Sequence, residues 1–450
     1  MAWRTASLIR AVCVSLAFAA GCGVSAQAGQ SPVSTGTEAR TSARFATLPA
    51  ANPQGLDQQF TSLFREGRYL AAINLVEEAD PATIVEPLKS IYRQLRPALD
   101  GFVVPADPAT QPPPTTNLDR ELYGNADAED AIAVIVERAR RTSVVIINET
   151  HDNPRDRAFV LAVAEALRPI GYTVYAAEGF TNFRRPAGKP LPQQERLVAD
   201  GYARYDTGFL MVDPMFGHLV RRALSLGYRP MPYEYAPPVE DVAAYLSAPM
   251  NEQVAMREHG QAENLASAIA AAGPNEKFLV HVGYSHAAER PLGPEGNQQE
   301  WMAAKLARLT GINPLTIDQT NLSEYQPSSK LWEIYARLTE RVGNRSKVFL
   351  KDNHPIASGS LGEATDLQVV HPPIRTVGGR PDWLQGTGRR AVPIPAELLP
   401  KEGRRLIQVF GAGEATDAVP IDQVLVVAGE EPPLLYVLPR GEIRWAVQDE

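Results

Sequence analysis

Continuous apolar runs alternate with amphipathic segments through the middle of the chain, from about residue 126 to 325. Runs such as "SVVIIN", "YTVYAAEGF" and "KFLVHVGYSH" predict buried strands. Segments such as "DPMFGHLVRRALSL" and "NEQVAMREHGQAENLASAIAAA" repeat apolar residues at helical spacing and end near glycines. Strands that are apolar throughout are typical of a parallel sheet with both faces covered. The pattern therefore predicts an α/β core with a mostly parallel sheet flanked by helices.

The regions on either side of this core have different patterns. Helical spacing before the Pro-rich stretch "PADPATQPPPTT" predicts an N-terminal helical segment and linker over residues 54–118. We assign residues 119–354 to the α/β core. Beyond it, short apolar runs such as "RRLIQVFGAG" and "DQVLVVAG" are separated by Pro and Gly. These runs predict a small β-rich C-terminal region over residues 355–450.

The first 26 residues have the pattern of a secretory signal peptide, with arginines and no acid followed by a short apolar run. Two processing sites compete. The sequence "AAGC" fits a lipoprotein signal with a lipid on Cys22, whereas "VSA" fits ordinary cleavage after Ala26. We favour the lipoprotein and keep plain secretion as the alternative. Residues 27–53 are rich in small and polar residues and predict a flexible tether.

Composition narrows the function classes further. The only cysteines are Cys13 and Cys22, so an exported chain would carry no thiolate nucleophile and no cysteine metal ligand in its folded part. The net charge is −8 and there is no basic tract, which argues against nucleic acid as a partner. We therefore expect an exported bacterial protein, either periplasmic or held at the outer membrane by a lipid anchor.

Acids and histidines follow the predicted strands at the points where the strands end. They are Glu149 and His151 after the first strand, Glu178 after the second, Glu234 after the third, His281 and His286 in and after the fourth, and Asp318 at the end of the fifth. The carboxyl ends of parallel strands meet at one edge of a sheet, where ligands usually bind. The spacing therefore predicts one polar site at this edge.

The helix before the fourth strand adds further polar residues. Arg257, Gln261 and Asn264 repeat at helical spacing and so share a face, and a guanidinium suits a carboxylate or an oxyanion. The aromatic residues Tyr235 and Tyr284 would border the same cleft. Each feature also has a structural alternative: a Glu-x-His can cap a helix, and His281 can be a hydrogen-bonded core residue.

The order of these motifs resembles the Tiki/ChaN/erythromycin-esterase superfamily. The similar stretches are "INETHDNP", the two following acids, "REHGQAENL" and "HVGYSHAAE", over about residues 126–325. The resemblance implies an α/β fold with a cleft built around His151. It also implies functional roles for several matching positions, namely Glu149, His151, Glu178, Arg257, His286 and, less closely, Asn264.

The sequence departs from this superfamily at two places. Asn148 stands where the superfamily has Gly, which bears on how closely the backbone can approach a ligand. Asp156 and Arg157 stand where the haem-binding branch tends to have histidines. The second departure argues against haem binding.

A hydrolase acting on an ester or amide is our leading expectation, with a small molecule or peptide as substrate. His151 would be the general base, oriented by Glu149 or Glu178, with Arg257 and His286 stabilising the oxyanion. The residues expected to contact substrate are Glu234, Asn264, His281, Tyr284 and Tyr235. A metal-assisted variant would hold Zn²⁺ or Mn²⁺ with His151, His286 and Glu149.

Two functions of other classes remain open. An envelope lipoprotein could capture haem or another small ligand, with Tyr233, Tyr235 or Tyr284 as an axial ligand. A surface scaffold could use the residues at the sheet edge as a salt-bridge network. The sequence leaves the substrate, the metal dependence and the oligomeric state undetermined.

Overall fold

The structure is a computed structural model, and it describes six segments of the chain. The described residues are 55–99, 122–182, 192–273, 275–295, 297–324 and 330–449. The predicted signal peptide, Cys22, the tether and most of the Pro-rich linker lie outside them. Within the described part, none of the helices combines the length and the apolar character needed to span a membrane.

Nine of the described strands form one sheet. Their bounds are β1 Asp127–Asp130, β2 Val144–Glu149, β3 Tyr172–Ala177, β4 Arg229–Pro232, β5 Lys277–Gly283, β6 Leu315–Asp318, β7 Lys347–Lys351, β8 His354–Pro355 and β9 Leu367–Val370. The order across the sheet is β1-β7-β9-β6-β2-β5-β3-β4, and β8 pairs with β7. The six strands from β9 to β4 in this order are parallel, whereas β7 is antiparallel to its neighbours. The prediction of a mostly parallel sheet is confirmed.

Helices cover both faces of this sheet. Their bounds are α1 Leu56–Arg65, α2 Tyr69–Glu77, α3 Glu86–Leu99, α4 Ala131–Ala139, α5 Pro154–Leu167, α6 Pro192–Asp200, α7 Pro214–Ser225, α8 Val242–Ser247, α9 Met250–Ala271, α10 Met302–Thr310, α11 Lys330–Val342 and α12 Gly359–Gly362. The first three form the predicted N-terminal helical layer. A break between α1 and α2 falls at Gly67, whose φ of +71° favours glycine.

The central strand β2 explains why the strand sequences are continuously apolar. Val145 and Ile147 belong to the core that includes α5 and α7, and Val144 and Ile146 belong to the core that includes α9 and α10. Side chains alternate between the faces of a strand, so burial on both faces requires apolar residues at every position. The same alternation sends Asn148 and Glu149 to opposite faces at the end of the strand.

The segment "AEDAIAVIVERARRT" differs from its prediction as one helix. Asp127–Asp130 pairs antiparallel with β7, and α4 begins only at Ala131. The carboxylate of Asp130, the last residue of the strand, accepts a hydrogen bond from the backbone N–H of Ala133 at 3.1 Å and so caps the helix at its start.

The main sheet extends past residue 354, because β9 pairs with both β6 and β7. The remaining C-terminal strands form small antiparallel sheets. Their bounds are β10 Thr376–Val377, β11 Arg380–Pro381, β12 Arg390–Val392, β13 Arg404–Gly411, β14 Asp422–Val427, β15 Leu435–Val437 and β16 Ile443–Asp449. The prediction of a β-rich C-terminal region is thus confirmed.

The C-terminal strands pack against the N-terminal helices. Gln448 in β16 accepts a hydrogen bond from the N–H of Leu70 at 3.0 Å and donates one to the carbonyl of Gly67 at 2.7 Å. Arg404 in β13 pairs with Glu77 at 2.6 Å. The two flanking regions therefore contact each other as well as the α/β core.

Candidate functional site

A sealed group of four charged or polar side chains lies beneath the carboxyl end of β2. We call it the anchor cluster; its members are Glu149, Arg157, Asp213 and His281. Arg157 donates from Nε to Glu149 Oε2 and from Nη2 to Glu149 Oε1, both at 2.8 Å, and its Nη1 donates to Asp213. His281 Nε2 lies 2.9 Å from Glu149 Oε2. Two parallel N–H···O bonds make this a bidentate pair with a defined orientation.

Local sequence places each member of the anchor cluster. Glu149 is the last residue of β2, and Pro154 begins α5, which brings Arg157 round in its first turns. Asp213 caps α7 by accepting a hydrogen bond from the N–H of Met215 at 2.8 Å. The helices that cover one face of the sheet thus bring a cation and a second acid to the end of β2.

Glu149 is ionised despite its burial. Burial raises the pKa of a carboxyl group, but the charges of Arg157 and His281 outweigh this effect and hold the pKa of Glu149 well below its ordinary value. Glu149 is therefore a hydrogen-bond acceptor at neutral pH.

His151 links the anchor cluster to the open edge of the sheet. Its Nδ1 lies 3.0 Å from Glu149 Oε1, so we assign the proton of the neutral ring to Nδ1. None of the described residues hydrogen-bonds to Nε2. A Cβ at Gly283 would lie 2.8 Å from this Nε2 and 3.1 Å from Glu178 Oε2, so the imidazole and the carboxylate both pack against a residue that must lack a side chain.

Tyr284 packs on the other side of the His151 ring. The ring centroids are 4.8 Å apart in an edge-to-face arrangement, and the backbone N–H of His151 donates to Tyr284 Oη at 3.3 Å. The φ of Tyr284 is +45°, a left-handed backbone conformation that is unusual for a residue with a side chain. Residues in such conformations cluster at functional sites. Asn148 holds this conformation by donating from Nδ2 to the Tyr284 carbonyl at 2.9 Å. That contact gives Asn148 a structural role at the end of β2.

A second group of charged residues lies on the opposite face, around α9. We call it the rim cluster; its members are Glu178, Glu234, Arg257, Glu258 and His286. Arg257 donates to both Glu234 oxygens and to Glu178 Oε1, and its Nη1 lies 3.0 Å from His286 Nε2. Glu178 Oε2 also accepts the N–H of Gly283.

The rim cluster reaches solvent through its carboxylates. Arg257 is 2 % exposed, whereas the side chains of Glu178 and Glu234 are 10 % and 19 % exposed. Burial would raise the pKa of Glu178, but His286 and Arg257 outweigh burial and hold that pKa well below its ordinary value. Glu178 is therefore an ionised carboxylate that packs against the same Gly283 as His151 Nε2.

The structure brings most of the predicted site residues into these two connected groups. Gln261 donates to both oxygens of Glu234, and Asn264 donates to the carbonyls of Tyr233 and Glu234, so the predicted polar face of α9 exists. Asn264 thereby contacts backbone, and Tyr235 packs its ring against Gly260.

Three other predicted positions are buried near the carboxyl ends of the strands. His281 is 2 % exposed, and its Nδ1 lies 2.8 Å from Tyr175 Oη. Tyr233, suggested as an axial ligand, is buried and donates to the His281 carbonyl at 2.9 Å. Asp318 accepts from Asn148 and Thr320 at the end of β6. These residues support the site from beneath.

The residues expected to hold a metal do not fit that role. Among the described residues, no three His, Cys, Asp or Glu side chains are arranged to hold a metal ion. Both oxygens of Glu149 face Arg157, and both nitrogens of His286 face protein partners, Glu258 and Arg257. His151 Nε2 alone remains available. Among the described residues, His151, His286 and Glu149 therefore form no common metal site.

Sequence reasoning missed three residues of the two clusters. In the sequence, Arg157 stands out only where the haem-binding branch tends to have a histidine, and no motif assigns a functional role to Asp213 or Glu258. Asp213-Pro214 is a helix-start signal that identifies a capping acid, but it does not show which cation the acid will pair with. The pairing depends on how α5 and α7 pack against the sheet.

Comparisons with known proteins leave the family open. No protein-family model matches the chain, and no curated protein matches it. Two solved structures described as bacterial protein toxins are 17% and 16% identical, with TM-scores of 0.30 and 0.28. A third, RRSP, a MARTX toxin effector domain from Vibrio vulnificus CMCP6, is 17% identical with a TM-score of 0.26.

These structural matches are partial. They cover 60%, 56% and 55% of this chain and 47%, 44% and 43% of the respective toxin chains. The chain thus spans less than half the length of each. Similarity at this level says nothing about activity, and the resemblance to the Tiki/ChaN/erythromycin-esterase superfamily stays a prediction.

Proposed function

We propose that this protein is a hydrolase that uses His151 as a general base on an ester or amide. The single observation that carries the proposal is the orientation of His151. Its Nδ1 is held by an ionised, buried Glu149, while its Nε2 lies against Gly283, as Glu178 Oε2 does, and has no hydrogen-bond partner in the described chain. A carboxylate behind an imidazole orients the ring and stabilises the imidazolium that forms when the base takes a proton.

The proposed reaction is direct attack by water. His151 Nε2 accepts a proton as the water oxygen bonds to the carbonyl carbon. The tetrahedral intermediate then collapses, the C–O or C–N bond breaks, and the leaving group receives a proton from an imidazolium. Preorganised donors around the developing oxyanion supply electrostatic stabilisation.

Arg257 has a different role from the one first expected. Its charge is already balanced by Glu178 and Glu234, both within hydrogen-bond distance. We therefore assign to Arg257 the positioning of these carboxylates and of His286. Oxyanion stabilisation then falls to the hydroxyl of Tyr284, and His286 is left to exchange a proton with the leaving group.

The test is turnover of a panel of aryl esters and aryl amides by the full-length protein and two histidine variants. His151→Asn should lower kcat/KM by about 10²–10⁴-fold, the usual contribution of a positioned base. His259→Asn is the matched control, because this histidine lies on exposed surface of α9 and should leave turnover unchanged. Wild-type turnover in His151→Asn would refute the base, and no turnover by the wild type would overturn the hydrolase proposal for these substrates.

A further inference from the structure

A second Glu–His pair, Glu258 and His286, lies on the opposite face of the sheet from Glu149. Glu258 in α9 is 0 % exposed, and its two carboxylate oxygens lie 2.8 and 2.9 Å from His286 Nδ1. Its Oε2 also accepts the N–H of Met302 at 2.8 Å, at the start of α10. Within the described chain, no arginine or lysine forms an ion pair with Glu258.

The burial of Glu258 constrains the proton on its partner. A carboxylate removed from water without a counter-charge is costly, and the Met302 N–H alone is a weak compensation. A proton on His286 Nδ1 supplies the missing donor. Arg257 Nη1, which can only donate, lies 3.0 Å from the other ring nitrogen, Nε2, and this contact requires Nε2 to accept.

We propose that Glu258 is a positioning residue that keeps a proton on His286 Nδ1, so that Nε2 is the atom through which His286 takes up and returns a proton. The inference rests on the proposed hydrolase. In the neutral ring, Nε2 accepts from Arg257. When Nε2 takes up a proton, the contact with Arg257 Nη1 must open, and the carboxylate that can then accept from Nε2–H is Glu178, whose Oε1 lies 3.6 Å away.

The proposed site then has two imidazoles that are positioned in the same way. His151 and His286 are each held at Nδ1 by a buried glutamate. His286 Nε2 lies 3.6 Å from Glu178 Oε1, and His151 Nε2 lies against Gly283 on the side of Glu178 Oε2. One imidazole can remove the proton of water while the other, already protonated, delivers a proton to the leaving group. Glu178 stabilises whichever imidazole is charged.

The groups that face His286 agree with this role. Glu258 and Arg257 approach from α9, Glu178 approaches from the end of β3, and the ring of Trp301 lies edge-on with centroids 5.7 Å apart. Burial would lower the pKa of His286, but the two carboxylates outweigh burial and raise it above its ordinary value.

The test is the protonation of the His286 ring, read by ¹⁵N NMR on the full chain labelled at its seven histidines, with His286→Gln for assignment. In the wild type at alkaline pH, Nδ1 should carry the proton and Nε2 should be bare. In Glu258→Gln, the amide oxygen can still accept the hydrogen bond from the Met302 N–H, which turns the amide NH₂ group toward His286 Nδ1. The ring should then move its proton to Nε2, and its pKa should fall.

Two further variants make the result decisive. Glu258→Leu removes the acceptor altogether and should also lower the pKa of His286. Glu263→Gln is the matched control, because Glu263 pairs with His259 on the exposed face of the same helix and should leave the His286 signals unchanged. A bare Nδ1 in the wild type, or an unchanged ring in both Glu258 variants, would overturn the proposal.

Kinetics supply a second readout. In Glu258→Gln, the alkaline limb of kcat/KM should move to lower pH while KM stays within about twofold of the wild-type value, because Glu258 does not touch substrate. A failure of the hydrolase proposal would show as no turnover in the wild type. The NMR result would still decide the role of Glu258 in that case.

Discussion

The anchor cluster and the rim cluster each place an arginine between carboxylates, but they differ in their access to water. Arg157 and its partners Glu149 and Asp213 are 1–2 % exposed. In the rim cluster, the acids paired with Arg257 reach solvent, with Glu234 at 19 %. The same pairing therefore occurs in two settings: the sealed cluster contacts His151 through Glu149, and the partly exposed cluster lies where the proposed hydrolase would bind its substrate.

Burial also decides how much each arginine contributes to stability. Removing one partner of a buried ion pair leaves an uncompensated charge and costs about 3–5 kcal/mol, whereas exposed pairs contribute about 0–1 kcal/mol. We expect the loss for the anchor cluster near the buried limit and the loss for the rim cluster lower, because the acids of the rim cluster are partly exposed. This difference can be measured.

Arg157→Met should have the largest effect on the free energy of unfolding, a loss of about 3–5 kcal/mol, because Glu149 and Asp213 remain buried without a cation. Arg257→Met should cost less, since water can reach Glu178 and Glu234. Urea unfolding followed by circular dichroism measures both. Arg222→Met, which breaks an exposed pair with Glu165, is the control and should cost under about 1 kcal/mol. An equal loss in Arg157→Met and Arg257→Met would show that the exposure of the paired acids does not affect the free energy of unfolding.

Gly283→Ala should come next, with a loss of about 10²-fold in kcat/KM. The added Cβ would lie 2.5 Å from His151 Cε1, so the ring must move away from Glu149 or Glu178. The backbone of Gly283 is extended, at φ −87°, so strain in the main chain is not the cause. Gly273→Ala, whose Cβ would meet no atom within 4 Å, should leave kcat/KM unchanged. Full activity in Gly283→Ala would place the reacting atoms elsewhere.

The pH dependence of stability should separate Glu149 from exposed acids. Because the pKa of Glu149 is lowered in the fold, its stabilisation is present above its ordinary value of 4.5 and is lost as the pH falls through the folded pKa. The difference in unfolding free energy between wild type and Glu149→Gln should therefore shrink below pH 4.5, by at most about 1.4 kcal/mol per pH unit. Glu165→Gln, at an exposed site, should show a difference near zero throughout. A difference for Glu149 that grew on acidification would contradict the assigned charge.

Asn264→Ala should have the smallest effect. Its Nδ2 donates to the carbonyls of Tyr233 and Glu234, at 3.0 and 3.2 Å, and loss of such bonds costs about 0.5–1.5 kcal/mol of stability. Because these contacts are to backbone, KM should stay within about twofold of the wild-type value on any substrate found. A rise of tenfold or more in KM would restore Asn264 as a substrate contact.

Several parts of the site were predictable from the sequence because they depend on local order. Glu149 ends a strand, and Glu178 and Glu234 follow strands; parallel strands end at one edge, so the proximity of these acids follows from periodicity alone. The shared face of Arg257, Gln261 and Asn264 follows from the helical repeat. The split of "AEDAIAVIVERARRT" into a strand and a helix was missed, since its pairing partner β7 lies more than 200 residues away.

The alternation of apolar and polar residues by itself determined the α/β class, the two covered faces of the sheet and the edge at which the acids and histidines gather. Only the tertiary structure decided which acids are sealed and which reach water. Arg157 reaches Glu149 because α5 packs on one face, and Glu258 reaches His286 because α9 packs on the other. Periodicity is a property of neighbours in the chain, whereas burial and charge pairing depend on how distant segments pack together.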